Sequence, residues 1–511
     1  MNDIPSKEQI INQAIKFHLK GNIAEASKYY QNIINKGCND HRVFSNYGLI
    51  LKDLRKLKEA ELSTRKAIQL NPNFATAYFN LGLILKDLRK LKEAELSTRK
   101  AIQLNPNFAE AHLTLGLILK DLCKLKEAEL STRKAIQLNP DYAEAYWYLG
   151  NILSDNGELK EAELSTRKAI QLNPDLAVAY YSLSKLKYSD ENKIWQEKLF
   201  SENFLNNKLP KDQVDIYFAR ANILHKDKKY ESSSRYLQLA NNLKLDIDTY
   251  NSDTFINKSR RLLIESNKKD VKKKEHKSSF EHIFIVGMYR SGSTLLESIL
   301  SMNNDVYDQG EINNLEQSFL DCKKSNKSLN LAEIYEKKVK SKTELKITTN
   351  KCLYNYQYAG IIARQIPNAK IIHCFRNPLD NILSIYRTHF DNRNEYSSSL
   401  VDCAKVYLDQ EEVMKEYKKR FRTKIYDLNY DLLVSNPAQE IKSLISWLGW
   451  DWDDQYLSPH LNPRAVSTAS NIQVRSPINS KSVGGWKNYK EMLRPAMEII
   501  IKKDKYKDLK Y

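Results

Sequence analysis

The 22-residue string LKDLRKLKEAELSTRKAIQLNP occurs identically at 51–72 and 85–106, and returns at 119–140 with Cys123 as its one change. Asn-Pro pairs begin at 71, 105, 139 and 173, and the same 34-residue step separates Gly48, Gly82, Gly116 and Gly150, and Ala60, Ala94, Ala128 and Ala162. Small residues at fixed places let neighbouring helices approach closely, and each Asn-Pro pair stops one helix before the next begins. A unit this short cannot bury its apolar face alone, so the copies must stack into a solenoid.

Period, small residues and closing proline together resemble the tetratricopeptide (TPR) repeat, a helical hairpin. Degenerate copies precede the clear ones, at GNIAEASKYYQNIIN, and follow them, at IYFARANILHKDKKYESSSRYLQLANNL, which places the solenoid at 9–246. The first helix of each unit offers a face away from the second: Thr76, Phe79, Leu83 and Lys86, then Glu110, Leu113, Leu117 and Lys120, then Glu144, Trp147, Asn151 and Ser154. Such a face suits either an extended peptide partner or packing between repeats and a scaffold or dimer surface; oligomeric state stays open.

The net charge of +18 is spread over both halves and favours an acidic partner or anionic ligand, without distinguishing nucleotide from other polyanions. Six scattered cysteines form neither a C-x-x-C pair nor a zinc-ligand pattern. MNDIPSKEQIINQ lacks a basic-then-apolar leader, and no run of about 18 apolar residues follows, so the expectation is a cytoplasmic chain without a membrane span. Residues 247–280, ending in ESNKKDVKKKEHKSS at 265–279, read as a basic linker.

From 281 to 511 the pattern changes to short apolar runs, HIFIVGM (282–288), KIIHCF (370–375) and KIYDLNY (424–430), each leading into a helical stretch. This alternation predicts a three-layer α/β domain of the P-loop type with a parallel sheet, after the all-α solenoid. GMYRSGST (287–294) follows the first run with the G-x-x-x-x-G-x-[ST] spacing of a phosphate loop, but Ser293 stands where an ATP-binding loop has lysine. Backbone N–H groups and a helix N-terminus there would cradle an anion smaller than a triphosphate, although a Gly-containing turn also serves as an ordinary βα connection. Arg376 closes a later strand and Ser384 follows eight residues on, a guanidinium and hydroxyl able to hold a second phosphate or, equally, an arginine in a loop ion pair.

These elements resemble the sulfotransferases that use 3′-phosphoadenosine 5′-phosphosulfate (PAPS), and more narrowly the protein-tyrosine sulfotransferases and their TPR-containing bacterial relatives, over about 281–491. The resemblance implies Glu311, in DQGE, as general base; Lys351, in TNKCL, and Arg290 as charge-neutralising cations; and Ser470, in SNIQVRSP, as a further catalytic residue. It assigns Arg290, Ser291, Gly292, Ser293 and Thr294 to the 5′ end of the nucleotide, Arg376 and Ser384 to its 3′-phosphate, and Tyr430, Trp486 and Lys487 to the nucleotide more generally. No metal is implied, and no nucleic acid. Departures from the family pattern are Tyr289 and Leu353 in place of prolines, Asn350 in place of aspartate, and Asn479, Ser480, Lys481 in place of R-K-G.

The sequence therefore predicts transfer of a sulfuryl group from PAPS to an acceptor hydroxyl, a protein tyrosine among the candidates, with the solenoid holding a protein or peptide. Two alternatives stay open: a TPR interaction module whose α/β domain binds nucleotide without turnover, and a sulfotransferase acting on glycans or small molecules.

Overall fold

The computed structural model describes residues 7–186, 194–247, 252–267, 278, 280–324, 330–390 and 396–510. The chain divides into two compact units, Met1–Ala179 and Tyr180–Tyr511.

The first unit is a stack of helical hairpins: Lys7–Leu19 with Ile23–Asn35, His41–Asp53 with Leu57–Leu70, Ala75–Asp87 with Leu91–Leu104, Ala109–Asp121 with Leu125–Leu138, and Ala143–Asn156 with Leu159–Leu172. The periodic glycines do what their spacing predicts. A Cβ on Gly48, Gly82, Gly116 or Gly150 would lie 2.1–2.4 Å from the Oγ1 of Thr64, Thr98, Thr132 or Thr166 on the second helix of the same hairpin. Ala60, Ala94, Ala128 and Ala162 are wholly buried at the same crossings. Each repeat asparagine caps its helix and turns the chain, for Asn105 Oδ1 accepts from the N–H of Asn107 at 3.2 Å and Asn139 Oδ1 from that of Asp141 at 3.2 Å. On the face expected to be a groove, Leu113 is buried and the Phe79 ring meets Phe108 of the next unit at 4.9 Å. Leu83 and Leu117 remain half-buried.

In the second unit five parallel strands, β1 (Glu281–Gly287), β2 (Val306–Asp308), β3 (Ile347–Asn350), β4 (Ala369–Phe375) and β5 (Ile425–Asn429), lie in the order β2-β3-β1-β4-β5. Strand β1 alternates. Ile283 and Ile285 pack with Leu296, Ile299 and Ile441 on the helical layer of Ser293–Leu300 and Pro437–Leu448, while Phe284 and Val286 pack with Tyr335, Ile362 and Tyr417 on the other. Three strands coincide with the expected apolar runs. β2 and β3 are short and polar, and nothing in their composition marks them.

Two boundaries differ from the sequence expectation. Helices Pro210–Lys226 and Tyr230–Ile247, assigned above to the solenoid, share one core with the α/β layer through Val214, Phe218, Leu237, Leu379 and Ile382, and Asn241 Nδ2 donates to Tyr386 O at 3.0 Å. Within the expected linker, Ser252–Glu265 is a helix whose buried Leu262 joins the core beneath β1 and whose Phe255 packs against it. Its charged residues mask an apolar stripe. Most of the lysine-rich run, 268–277, lies outside the described residues.

Candidate functional site

The strand order changes direction at β1, since the chain goes from β1 toward β2 on one side and later crosses to β4 on the other. In open parallel sheets such a switch point opens a crevice at the carboxyl ends of the strands. Of the residues singled out from the sequence, Arg290 to Thr294, Glu311, Lys351, Arg376 and Tyr430 follow those ends, whereas Ser384 lies within helix Pro378–Tyr386 and Ser470, Trp486 and Lys487 lie well beyond the last strand.

After β1, the loop Met288–Gly292 turns through two left-handed residues, Arg290 at φ +66° and Gly292 at φ +93°. Gly292 also admits the Tyr430 ring, because a Cβ there would lie 2.1 Å from Tyr430 Cδ2. Gly287, paired with Cys374 of β4, would place a Cβ 2.2 Å from the Cys374 carbonyl oxygen. The helix Ser293–Leu300 then starts with its first internal bond from Leu296 N–H to Gly292 O, leaving the N–H groups of residues 293–295 ahead of the ladder. Ser291, Ser293 and Thr294 are buried around this turn, and Ser291 Oγ has no hydrogen-bond partner among the described residues. An unpartnered buried hydroxyl beside a helix N-terminus in a left-handed turn fits an anionic group.

Arg290 gathers several distant segments. Its Nε donates to Ser384 Oγ at 3.0 Å, one terminal nitrogen to Ser470 Oγ, and the other to Gln473 Oε1 at 2.8 Å. Burial and repulsion from Arg376 lower its pKa to about 10. Arg376, after β4, is 6% exposed, donates to Ser482 O at 2.7 Å, and stacks 4.7 Å from the Tyr430 ring centre. Asp380 and Asp431 lie 3.9 and 3.8 Å away, yet the buried Arg376 Nε lacks a hydrogen-bond partner among the described residues. Arg376 and Ser384 thus meet through Arg290, whose carbonyl and side chain each touch one of them. Tyr430 OH lies 3.0 Å from Ser482 Oγ.

At the end of β3, Lys351 is wholly buried, and its Nζ donates to Glu311 Oε1 at 2.7 Å. Burial alone would lower its pKa, but Glu311 and Glu297 outweigh that and hold it above the ordinary value. Asn350, standing in place of an aspartate, accepts from Cys352 N–H at 3.1 Å and Asn355 Nδ2 at 2.9 Å and donates to Ile312 O at 3.2 Å, which pins the turn carrying Lys351. Leu353 is buried in the core. Tyr289, in place of a proline, packs its ring against Tyr354 at 5.1 Å and Phe390 at 5.5 Å.

The C-terminal pair divides. Trp486 is 4% exposed and packs in the core shared with helix Pro378–Tyr386, its backbone N–H donating to Asp380 Oδ1 at 2.9 Å, whereas Lys487 is exposed. Three residues escaped the sequence reading: Glu297, Arg464 and Asp308. Glu297 sits 3.9 Å from Lys351 Nζ, and Arg464 bridges it to Asp308. A signal existed for the first, as the one charged residue in the apolar helix STLLESIL, four places after Ser293. None existed for Arg464.

Both units resemble known proteins. Residues 328–454 match the sulfotransferase family model, a span that contains Lys351, Arg376, Ser384 and Tyr430, and residues 41–74, 75–108, 109–142 and 143–176 match tetratricopeptide repeat models. The chain thus joins tetratricopeptide repeats to a sulfotransferase-family domain. It is 29% identical over 310 residues to an uncharacterized protein of Aquifex aeolicus (strain VF5), a match covering 55% of this chain and 41% of that relative's length. Among solved structures it is similar to YrrB, a TPR protein with an unusual peptide-binding site (24% identity, 39% of this chain and 97% of that one, TM-score 0.28). It is similar also to a tetratricopeptide repeat protein from Parabacteroides merdae ATCC 43184 (19% identity, 46% and 93%, TM-score 0.36). Among the described residues no helix is long and apolar enough to cross a membrane.

Proposed function

We propose that the α/β domain binds PAPS and transfers its sulfuryl group to an acceptor hydroxyl, and that the repeats recruit a protein or peptide. The observation that carries the proposal is the Lys351–Glu311 pair at the carboxyl edge of the sheet that also carries the anion-fitting loop: a buried ammonium against an exposed carboxylate. Bound PAPS would supply an activated sulfuryl group, leaving 3′,5′-adenosine bisphosphate. The loop N–H groups with Ser291, Ser293 and Thr294 suit its 5′ end, and Arg376 with its unpartnered Nε suits the 3′-phosphate. Glu311 takes the acceptor's proton, while Lys351 and Arg290 offset negative charge near the reacting oxygens. Protein tyrosine is the acceptor class put forward first, because the repeat unit supplies a surface for a polypeptide, with half-buried Leu83 and Leu117 beside Lys86 and Lys120.

Calorimetry with 3′,5′-adenosine bisphosphate should show binding that ATP–Mg does not match. Labelled PAPS incubated with the full chain and cell extract should then place label in protein. Label in polysaccharide or lipid would move the acceptor class, and binding without transfer to any fraction would overturn the enzymatic reading.

A further inference from the structure

The charges around Lys351 extend beyond the pair read from the sequence. Glu297, 2% exposed, receives Thr349 Oγ1 on Oε1 at 3.3 Å and Arg464 Nη2 on Oε2 at 3.1 Å, and Arg464 continues to Asp308. Lys351 and Arg464 against Glu297 and Asp308 make a neutral quartet without Glu311. The Cys352 and Cys374 thiols, which also interact with Lys351, add no charge: burial pushes the first up to about 12 and the second well above its ordinary value.

We propose that Glu297 is a positioning residue, the counter-ion that Lys351 keeps when Glu311 gives up its charge. This rests on Glu311 acting as the base. As the acceptor O–H bond breaks and the proton bonds to the Glu311 carboxylate, the 2.7 Å partner of Lys351 becomes neutral. A buried ammonium left without a counter-charge would be strongly disfavoured and would tend to lose its proton. Glu297, at 3.9 Å, is too distant to hydrogen-bond Lys351 but near enough to keep it charged. Arg464 and Thr349 each donate to one Glu297 oxygen and so hold the carboxylate in place beside Lys351. Lys351 remains an ammonium throughout and is available to negative charge developing beside it.

The test uses the full chain with Glu297→Gln, Glu297→Asp and Arg464→Gln. NMR of ¹³Cε-labelled lysine, with Lys351 assigned by its absence from Lys351→Met, reads the charge directly and needs no turnover. In Glu297→Gln the Lys351 titration midpoint should fall by about one pH unit or more, and Glu297→Asp should restore it. An unmoved midpoint in Glu297→Gln overturns the proposal. If that variant does not fold, Arg464→Gln decides: kcat should fall about tenfold while 3′,5′-adenosine bisphosphate affinity stays within about twofold, and equal loss of both, or of neither, overturns it. Absence of transfer by the wild type would instead refute the proposed function and leave the lysine titration to judge Glu297.

Discussion

Lys351 Nζ donates to Glu311 Oε1 at 2.7 Å, the cation wholly buried and the carboxylate side chain 35% exposed. The fold therefore fixes the cation and leaves the carboxylate facing outward. Glu311→Gln should stay folded, because Glu297 still faces the ammonium, and should bind 3′,5′-adenosine bisphosphate within about twofold of wild type. Transfer from labelled PAPS should drop by about 100-fold or more; persistence of transfer would exclude Glu311 as the base.

Arg376 presents a buried guanidinium whose Nε makes no hydrogen bond among the described residues, Asp431 Oδ1 standing 3.8 Å away. Arg376→Met should weaken 3′,5′-adenosine bisphosphate by about 10- to 100-fold, the worth of one or two charge-assisted hydrogen bonds. Binding of adenosine 5′-phosphate, which lacks the 3′ group, should change little. Equal loss for both nucleotides, measured by calorimetry, would point to a collapse of the site instead.

At Gly292 both backbone and neighbour forbid a side chain: φ is +93° and the Tyr430 ring occupies the Cβ direction. Gly292→Ala should cost about 2 kcal/mol in urea unfolding of the second unit. Truncating Tyr430 as well should recover only the steric part, since the left-handed strain remains.

In the repeats the arrangement is reversed, because Gly116 has ordinary helical geometry and its constraint is Thr132 Oγ1, 2.4 Å from a built Cβ. Gly116→Ala should destabilise the first unit by about 1–3 kcal/mol. Combined with Thr132→Ala it should lose most of that penalty, as alanine also gains about 1 kcal/mol of helix propensity over glycine. A double-mutant cycle by thermal or urea melting checks the coupling.

His225 gives a pH signature. Its Nδ1 lies 2.7 Å from Tyr489 OH, and burial, with Arg387 and Lys226 nearby, lowers its pKa from 6.5 to about 3. Between those values the unfolded chain holds a proton that the folded chain does not. The contribution of His225 to stability should thus be constant above about pH 6.5 and fall by about 1.4 kcal/mol per pH unit as pH drops toward 3. His225→Gln should flatten that part of the slope in urea titrations at about pH 7, 6 and 5.

Much of the fold was legible. The repeats were readable because their constraint is local: a 34-residue copy carries its glycine, alanine and Asn-Pro in register, and each meets a partner within its own hairpin. β1, β4 and β5 were readable as apolar runs, whereas Val-Tyr-Asp and Ile-Thr-Thr-Asn are too short and polar to announce β2 and β3. Helix Ser252–Glu265 was hidden by its own charges.

The sequence by itself determined that hairpins must stack, that strand-loop-helix chemistry suited to an anion follows, and that Ser293 replaces a triphosphate-binding lysine. Only the tertiary structure decided which charges are buried and with whom. Arg290 reaches Ser384 and Ser470 across 94 and 180 residues, and Glu297 meets Arg464 across 167. Periodicity records what a residue needs from its near neighbours. The state of a charge depends on the solvent it loses and the partner it gains when remote segments close together, and neither is written in the local pattern.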